Sequence, residues 1–214
     1  MRASEDYVLF EFRKINKALE NMPHKQAEIW ALLSMSRLSY IFNVATKIEA
    51  LEEMSIVDDI ITSCTEVILF GIEYDVEKFK GYENIIDPLI TICEGIDNDG
   101  YGIDYDGEKE LVDLFGIILF SEPLYEMCRM FTYLEDGKYF DKLSSMIMST
   151  IMEDYFYDLY PDVYGDDFGR IKEVMAEINR IWADYEFVKQ NPSNDEILNK
   201  IEAYKKISVI GAVI

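Results

Sequence analysis

Glu108-Lys109-Glu110-Leu111-Val112-Asp113-Leu114-Phe115-Gly116-Ile117-Ile118-Leu119-Phe120 is the stretch on which the fold turns. Its apolar residues, from Leu111 to Leu119, surround a helical wheel instead of forming one stripe, so no face is left for water. We therefore expect it to be the central, most buried helix. The residues just before it read differently. Gly95-Ile96-Asp97-Asn98-Asp99-Gly100-Tyr101-Gly102-Ile103-Asp104-Tyr105-Asp106-Gly107-Glu108 mixes four glycines with four aspartates. Glycine supplies positive φ and Asp or Asn bonds its own backbone, so this acidic run reads as a loop or a series of turns.

Outward from that centre the chain reads as helix after helix. Val8, Phe12, Ile15 and Leu19 have helical spacing, and Asn21-Met22-Pro23 closes that segment. The next helix is expected from Pro23 into the Ala45 region, with Ile29, Leu32, Leu33, Ser36, Tyr40 and Ile41 on one side. Ser55-Ile56-Val57-Asp58 resembles a capping box and opens a helix toward Phe70, which Gly71 stops. Asp87-Pro88 either caps a helix reaching Glu94 or lies inside one that already covers Tyr82 to Ile86. Ser121-Glu122-Pro123 starts a helix to about Leu134, and Tyr139 to Leu159 forms another. A long helix from about Asp167 to Lys189 turns Ile171, Val174, Ile178, Ile181, Trp182 and Tyr185 inward. Ser193-Asn194-Asp195-Glu196 is a full capping box for a last helix. The β-branched, apolar tail Ile207 to Ile214 is expected to dock on the body. Residues 1–214 thus read as a single all-α domain of eight or nine helices around a buried central helix, or as two closely packed lobes divided near the 95–108 acidic loop.

Composition bounds the partners. The formal net charge is −22, with 42 acidic against 20 basic residues. Such a surface repels nucleic acid and anionic membrane, so neither is expected as a partner, and attracts basic proteins or cations; its acidity also serves solubility. Half of the residues are hydrophobic and 14% aromatic, which excludes global disorder. Cys64, Cys93 and Cys128 are isolated in apolar helical contexts, as reduced thiols of a cytoplasmic protein would be. Met1-Arg2-Ala3-Ser4-Glu5-Asp6 lacks the basic-then-apolar pattern of a signal peptide, and no apolar run approaches the ~18 residues of a membrane span.

Catalytic and metal signatures are thin. From Asp97, the residues Asp99, Gly102 and Glu108 echo the spacing of a calcium loop, but Tyr101 and Asp104 stand where a ligand and an apolar residue belong. Glu49-x-x-Glu52 and Glu110-x-x-Asp113 have the spacing of helical carboxylates that hold magnesium in all-α nucleotide hydrolases, but nothing basic accompanies them for the phosphates. His24 is the only histidine, which excludes Glu-x-x-His and HExxH sites. We expect no cofactor and no metal site. The most suggestive feature is tyrosine interleaved with acid in two loops. Asp97, Asp99, Tyr101, Asp104, Tyr105 and Asp106 make the first; Tyr160, Asp162, Tyr164, Asp166 and Asp167 make the second. Tyrosine anchors interfaces and carboxylates meet Arg or Lys across them, although the same rings can wedge loops onto a core.

Ala18-Leu19-Glu20-Asn21-Met22-Pro23-His24-Lys25-Gln26-Ala27, then Ser36-Arg37-Leu38-Ser39-Tyr40 and the closing Ile207-Ser208-Val209-Ile210-Gly211, resemble all-α immunity proteins of bacterial polymorphic or contact-dependent toxin systems and related uncharacterised all-α bacterial proteins. The likeness covers about a quarter of the chain and transfers no site residue. It implies a non-enzymatic inhibitor that covers a basic toxin, for example a nuclease, with its acidic, tyrosine-bearing loops. The alternatives are a metal-dependent nucleotide hydrolase using helical carboxylates, and a structural protein with no specific acidic site.

Overall fold

The computed structural model describes residues 7–47, 49–99, 121–136 and 171–206. Among them are seven α-helices and no strand: α1 Tyr7–Leu19, α2 His24–Ala45, α3 Val57–Phe70, α4 Val76–Asp99, α5 Glu122–Asp136, α6 Lys172–Lys189 and α7 Asn194–Tyr204. A 3-10 segment, Glu49–Ile56, leads into α3. The expected helices at Glu108–Phe120 and Tyr139–Leu159, and the tail 207–214, lie outside the described residues.

Among the described helices the central place belongs to α2. It packs against α3, α5, α6, α7 and the 3-10 segment. Every residue from Ile29 to Ser39 is buried, so α2 is enclosed on all sides and does not turn one stripe inward as its spacing predicts. Its serines explain how. Ser34 and Ser36 are small enough for neighbours to approach closely, and their hydroxyls donate to the carbonyls of Trp30 (3.1 Å) and Leu32 (2.7 Å). That back-bonding satisfies the hydroxyls without a partner helix.

Helix α4 packs on α5 and on the 3-10 segment. Phe79 joins α4 to α5, its ring 5.0 Å from that of Phe131, and Tyr82 hydrogen-bonds Ser63 of α3 at 2.9 Å. Asp75 caps α4, accepting from the amide of Lys78 at 3.1 Å. The helix runs through Pro88 without interruption. Pro88 and Asn84 are both exposed, so the Asn84 carbonyl that loses its amide donor can turn to water. It then continues through Gly95 to Asp99, which corrects the expectation of a loop from Gly95 onward. A single glycine costs about 1 kcal/mol in a helix, a penalty that a long, packed helix absorbs.

Helix boundaries show where capping rules hold. Gly71 ends α3 with φ 65°, and its amide bonds back to the Glu66 carbonyl, as expected of a glycine stop. Ser193 opens α7 with a complete capping box. Ser55 does not cap α3, because the 3-10 segment passes straight into the helix and Ile56 already has helical dihedrals. Helix α6 begins at Lys172, not near Asp167, since Ile171 is extended. Val174, Ile178 and Ile181 are buried as their spacing predicts, with Trp182 and Tyr185 half-buried. Side chains from α1 to α7 share one core that includes Ile15, Trp30, Phe42, Ile60, Phe79, Phe131, Ile181 and Ile201.

Candidate partner-binding surface

The residues chosen from the sequence are not brought together by the described structure. Asp97 and Asp99 fall in the last turn of α4. Tyr101, Asp104, Tyr105, Asp106, Tyr160, Asp162, Tyr164, Asp166 and Asp167 lie outside the described residues. The carboxylate pair of the hydrolase alternative is divided in the same way. Glu49 and Glu52 sit in the 3-10 segment, whereas Glu110 and Asp113 are outside. Among the described residues no three His, Cys, Asp or Glu side chains are grouped to hold a metal ion. None of the described helices is long and apolar enough to cross a membrane.

Two other features come forward. The first is a charge cluster inside the molecule. Arg37 of α2 is 2% exposed, and Glu177 and Asp184 of α6 are fully buried beside it. Arg37 Nη1 donates to Asp184 Oδ2 at 2.9 Å, and Nε lies 3.2 Å from Glu177 Oε1. Tyr204 of α7 donates to Asp184 Oδ1 at 2.5 Å, Lys200 lies 3.1 Å from the same oxygen, and Arg180 Nη1 is 3.0 Å from Glu177 Oε2. Burial works against the charged guanidinium, but the carboxylates of Glu177 and Asp184 more than offset it and raise its pKa above the ordinary arginine value. Burial, followed by the Asp184 charge, likewise pushes the Tyr204 hydroxyl up, so it stays a donor. The cluster bolts α2, α6 and α7 together. Arg37, Glu177 and Asp184 are closed to solvent, and only Arg180 and Lys200 at the margin reach it.

The second feature is the surface where α3 meets α4. Phe70-Gly71-Ile72-Glu73-Tyr74-Asp75-Val76 carries three of the six exposed large apolar side chains among the described residues: Phe70 (53%), Ile72 (55%) and Val76. Glu66, Glu73, Asp75 and Glu77 are exposed around them. Tyr74 is half-buried, its ring stacked on Phe79 at 4.5 Å. Burial, then the charges of Glu135 and Glu83, holds its hydroxyl protonated. This is the same mixture of tyrosine and acid that marks the two sequence-selected loops, here with apolar side chains in the open. In the sequence Gly71 reads as a helix stop alone. The further signal there is Phe70 and Ile72 flanking that glycine, where a helix end must face solvent.

From this surface a groove of about 280 Å³ runs between α3 and α7. The two helices are antiparallel: Asn194 Nδ2 donates to the Leu69 carbonyl at 3.2 Å at one end, and Lys205 lies 4.0 Å from Asp58 at the other. At the Leu69 end the ammonium of Lys25, on α2, also donates to the Ile68 carbonyl, so the last turn of α3 is held from two sides. No protein-family model, curated protein or solved structure matches the chain.

Proposed function

We propose that the chain is a non-enzymatic, acidic protein-binding module, most concretely an immunity-type inhibitor that occludes the basic surface of a bacterial toxin in the cytoplasm. The observation that carries this reading is the distribution of charge. Against a net charge of −22, many of the described basic residues are drawn into pairs with neighbouring acids, as in Lys14–Glu11, Arg129–Glu126, Arg180–Glu177 and Lys189–Glu186. Among the described residues, exposed acids such as Glu52, Glu73, Asp87 and Glu135 stand outside those pairs and are open to a basic partner. The exposed apolar residues at Phe70–Val76 add the second element a binding surface needs, a place to bury area.

The mechanism is occlusion with electrostatic steering. A basic active-site surface approaching this field associates at rates that can reach roughly 10⁸ M⁻¹s⁻¹ at low salt. The acids imitate the charge of an anionic substrate, and the aromatic and aliphatic side chains slow dissociation. An immunity protein is encoded beside its toxin, so the test is co-expression with the product of the neighbouring reading frame. Expected are co-purification and relief of that product's toxicity. A neighbouring product that is toxic and remains both toxic and unbound in the presence of this chain overturns the reading.

A further inference from the structure

Resting on the protein-binding reading, we propose that the groove between α3 and α7, together with Phe70 at its end, docks the apolar face of a cationic amphipathic helix of the partner. The groove is built for a helix. Its walls are two antiparallel helices whose backbone groups bond within each helix, so no strand edge is offered to an incoming peptide. Ile61, Thr65 and Ile201 are buried along it, while Phe70 stands open at one end. From Ile61 to Phe70 the wall is ~14 Å long at 1.5 Å per residue, room for between two and three helical turns. An apolar stripe at i, i+3, i+4 and i+7, ~10 Å long at the same rise, fits within that length.

Charge selects the occupant. Glu66 on α3 and Glu202 on α7 flank the groove from opposite sides. Asp195, exposed in the first turn of α7, stands toward the Phe70 end, because its neighbour Asn194 bonds Leu69 there. Glu73 and Asp75 follow directly on Phe70 in the chain and are exposed. Lys205 sits at the opposite end and is committed to Glu202 (3.2 Å) and Asp58 (4.0 Å). Lys78 lies 3.9 Å from Glu66, an exposed pair that an incoming cation can exchange at little cost. Lysine or arginine of a docked helix would therefore meet Glu66 on the α3 rim and the acids at the Phe70 end, and would have to exchange with Lys205, which also lines the groove, to reach Glu202 on the α7 rim. A second copy of this chain is a poor occupant, since two bodies of charge −22 repel before their apolar patches touch.

The probe is a leucine–lysine peptide with leucines at i, i+3, i+4 and i+7, and its control has the same composition with no apolar face. Each is titrated into the full isotopically labelled chain and followed by amide chemical shifts. Expected are shifts concentrated at Ile61–Phe70 and Leu198–Lys205, binding about tenfold tighter for the amphipathic peptide, and about tenfold weakening by Thr62→Trp, which fills the groove from an exposed position. Phe70→Ser, at a side chain outside the core, should weaken binding in the same direction. Equal affinity for the two peptides, or for wild type and both variants, overturns the groove, as do shifts scattered over the acidic surface. Co-purification of the neighbouring gene product that survives both variants would also overturn the groove while leaving the protein-binding reading standing.

Discussion

Withdrawing Arg37 would take one cation from each of two buried carboxylates, leaving Glu177 with Arg180 and Asp184 with Lys200, both part-exposed. Breaking a buried ion pair from one side costs ~3–5 kcal/mol, because the remaining charge is uncompensated. Arg37→Met should therefore lower unfolding free energy by about that amount, and adding Glu177→Gln with Asp184→Asn should recover much of it. Chemical denaturation of the single and triple variants checks this. A loss below about 1 kcal/mol for Arg37→Met would mean that Arg180, Lys200 or water compensates the two carboxylates without it. Cys64 makes a second prediction at this scale. Burial, only slightly countered by the Lys78 charge, pushes its thiol up to about 12. The raised value means that the thiol's contribution to stability is complete below the unfolded thiol's ordinary pKa of about 8.5 and is lost as pH rises toward 12. The stability difference between wild type and Cys64→Ala should shrink from pH 8 to pH 11, and iodoacetamide should spare Cys64 in the native protein at pH 8. Rapid native alkylation there would contradict the burial.

At the scale of the element, two glycines are expected to respond to the same substitution with opposite sign. A methyl group at Gly71 or at Gly81 would meet nothing within 4 Å, so packing does not decide either case. Gly71 has φ 65°, where an L-residue is strained by about 1–2 kcal/mol. Gly81 lies inside α4, where alanine is the better helix former by about 1 kcal/mol. Gly71→Ala should lower the melting temperature and Gly81→Ala should raise it; two shifts of one sign would show that backbone conformation is not what separates them. The same local rules explain which elements were legible. Gly71 and Ser193 act through contacts a few residues away, so they can be read from the chain directly. The run of α4 past Pro88 is one of the two readings that the local pattern allows, whereas its run through Gly95 goes against the glycine and aspartate signals there. Glu177 and Asp184 escaped notice because a stripe search counts apolar residues. Both lie on the stripe of Val174, Ile178, Ile181 and Val188, seven residues apart, and a lone arginine stands among the serines of α2. Charges on an apolar stripe, with one opposite charge elsewhere in a buried helix, were the available signal.

At the largest scale, the helical class of the described residues followed from periodicity, whereas the central place of α2 among the described helices did not. Its apolar content is diluted by Ser34, Ser36, Arg37 and Ser39, all buried; the hydroxyls of Ser34 and Ser36 and the Nη1 of Arg37 find partners there, a fact of three-dimensional packing. The proposed binding surface is legible in part: acid is visible in composition, and Phe70 and Ile72 flank the glycine at which a helix end must face solvent. The charge field belongs to this scale, and its effect is read most directly in an association rate. The rate at which the chain associates with the neighbouring gene product should be measured against ionic strength for wild type and for a variant with Asp97, Asp99, Asp104 and Asp106 changed to Asn. Steering is screened over ~8 Å at physiological salt. The account predicts a wild-type rate that falls steeply with salt, a slower variant with a shallower slope, and convergence of the two at high salt with little change in dissociation. A wild-type association rate that is indifferent to salt, and identical to that of the variant at low salt, would contradict it.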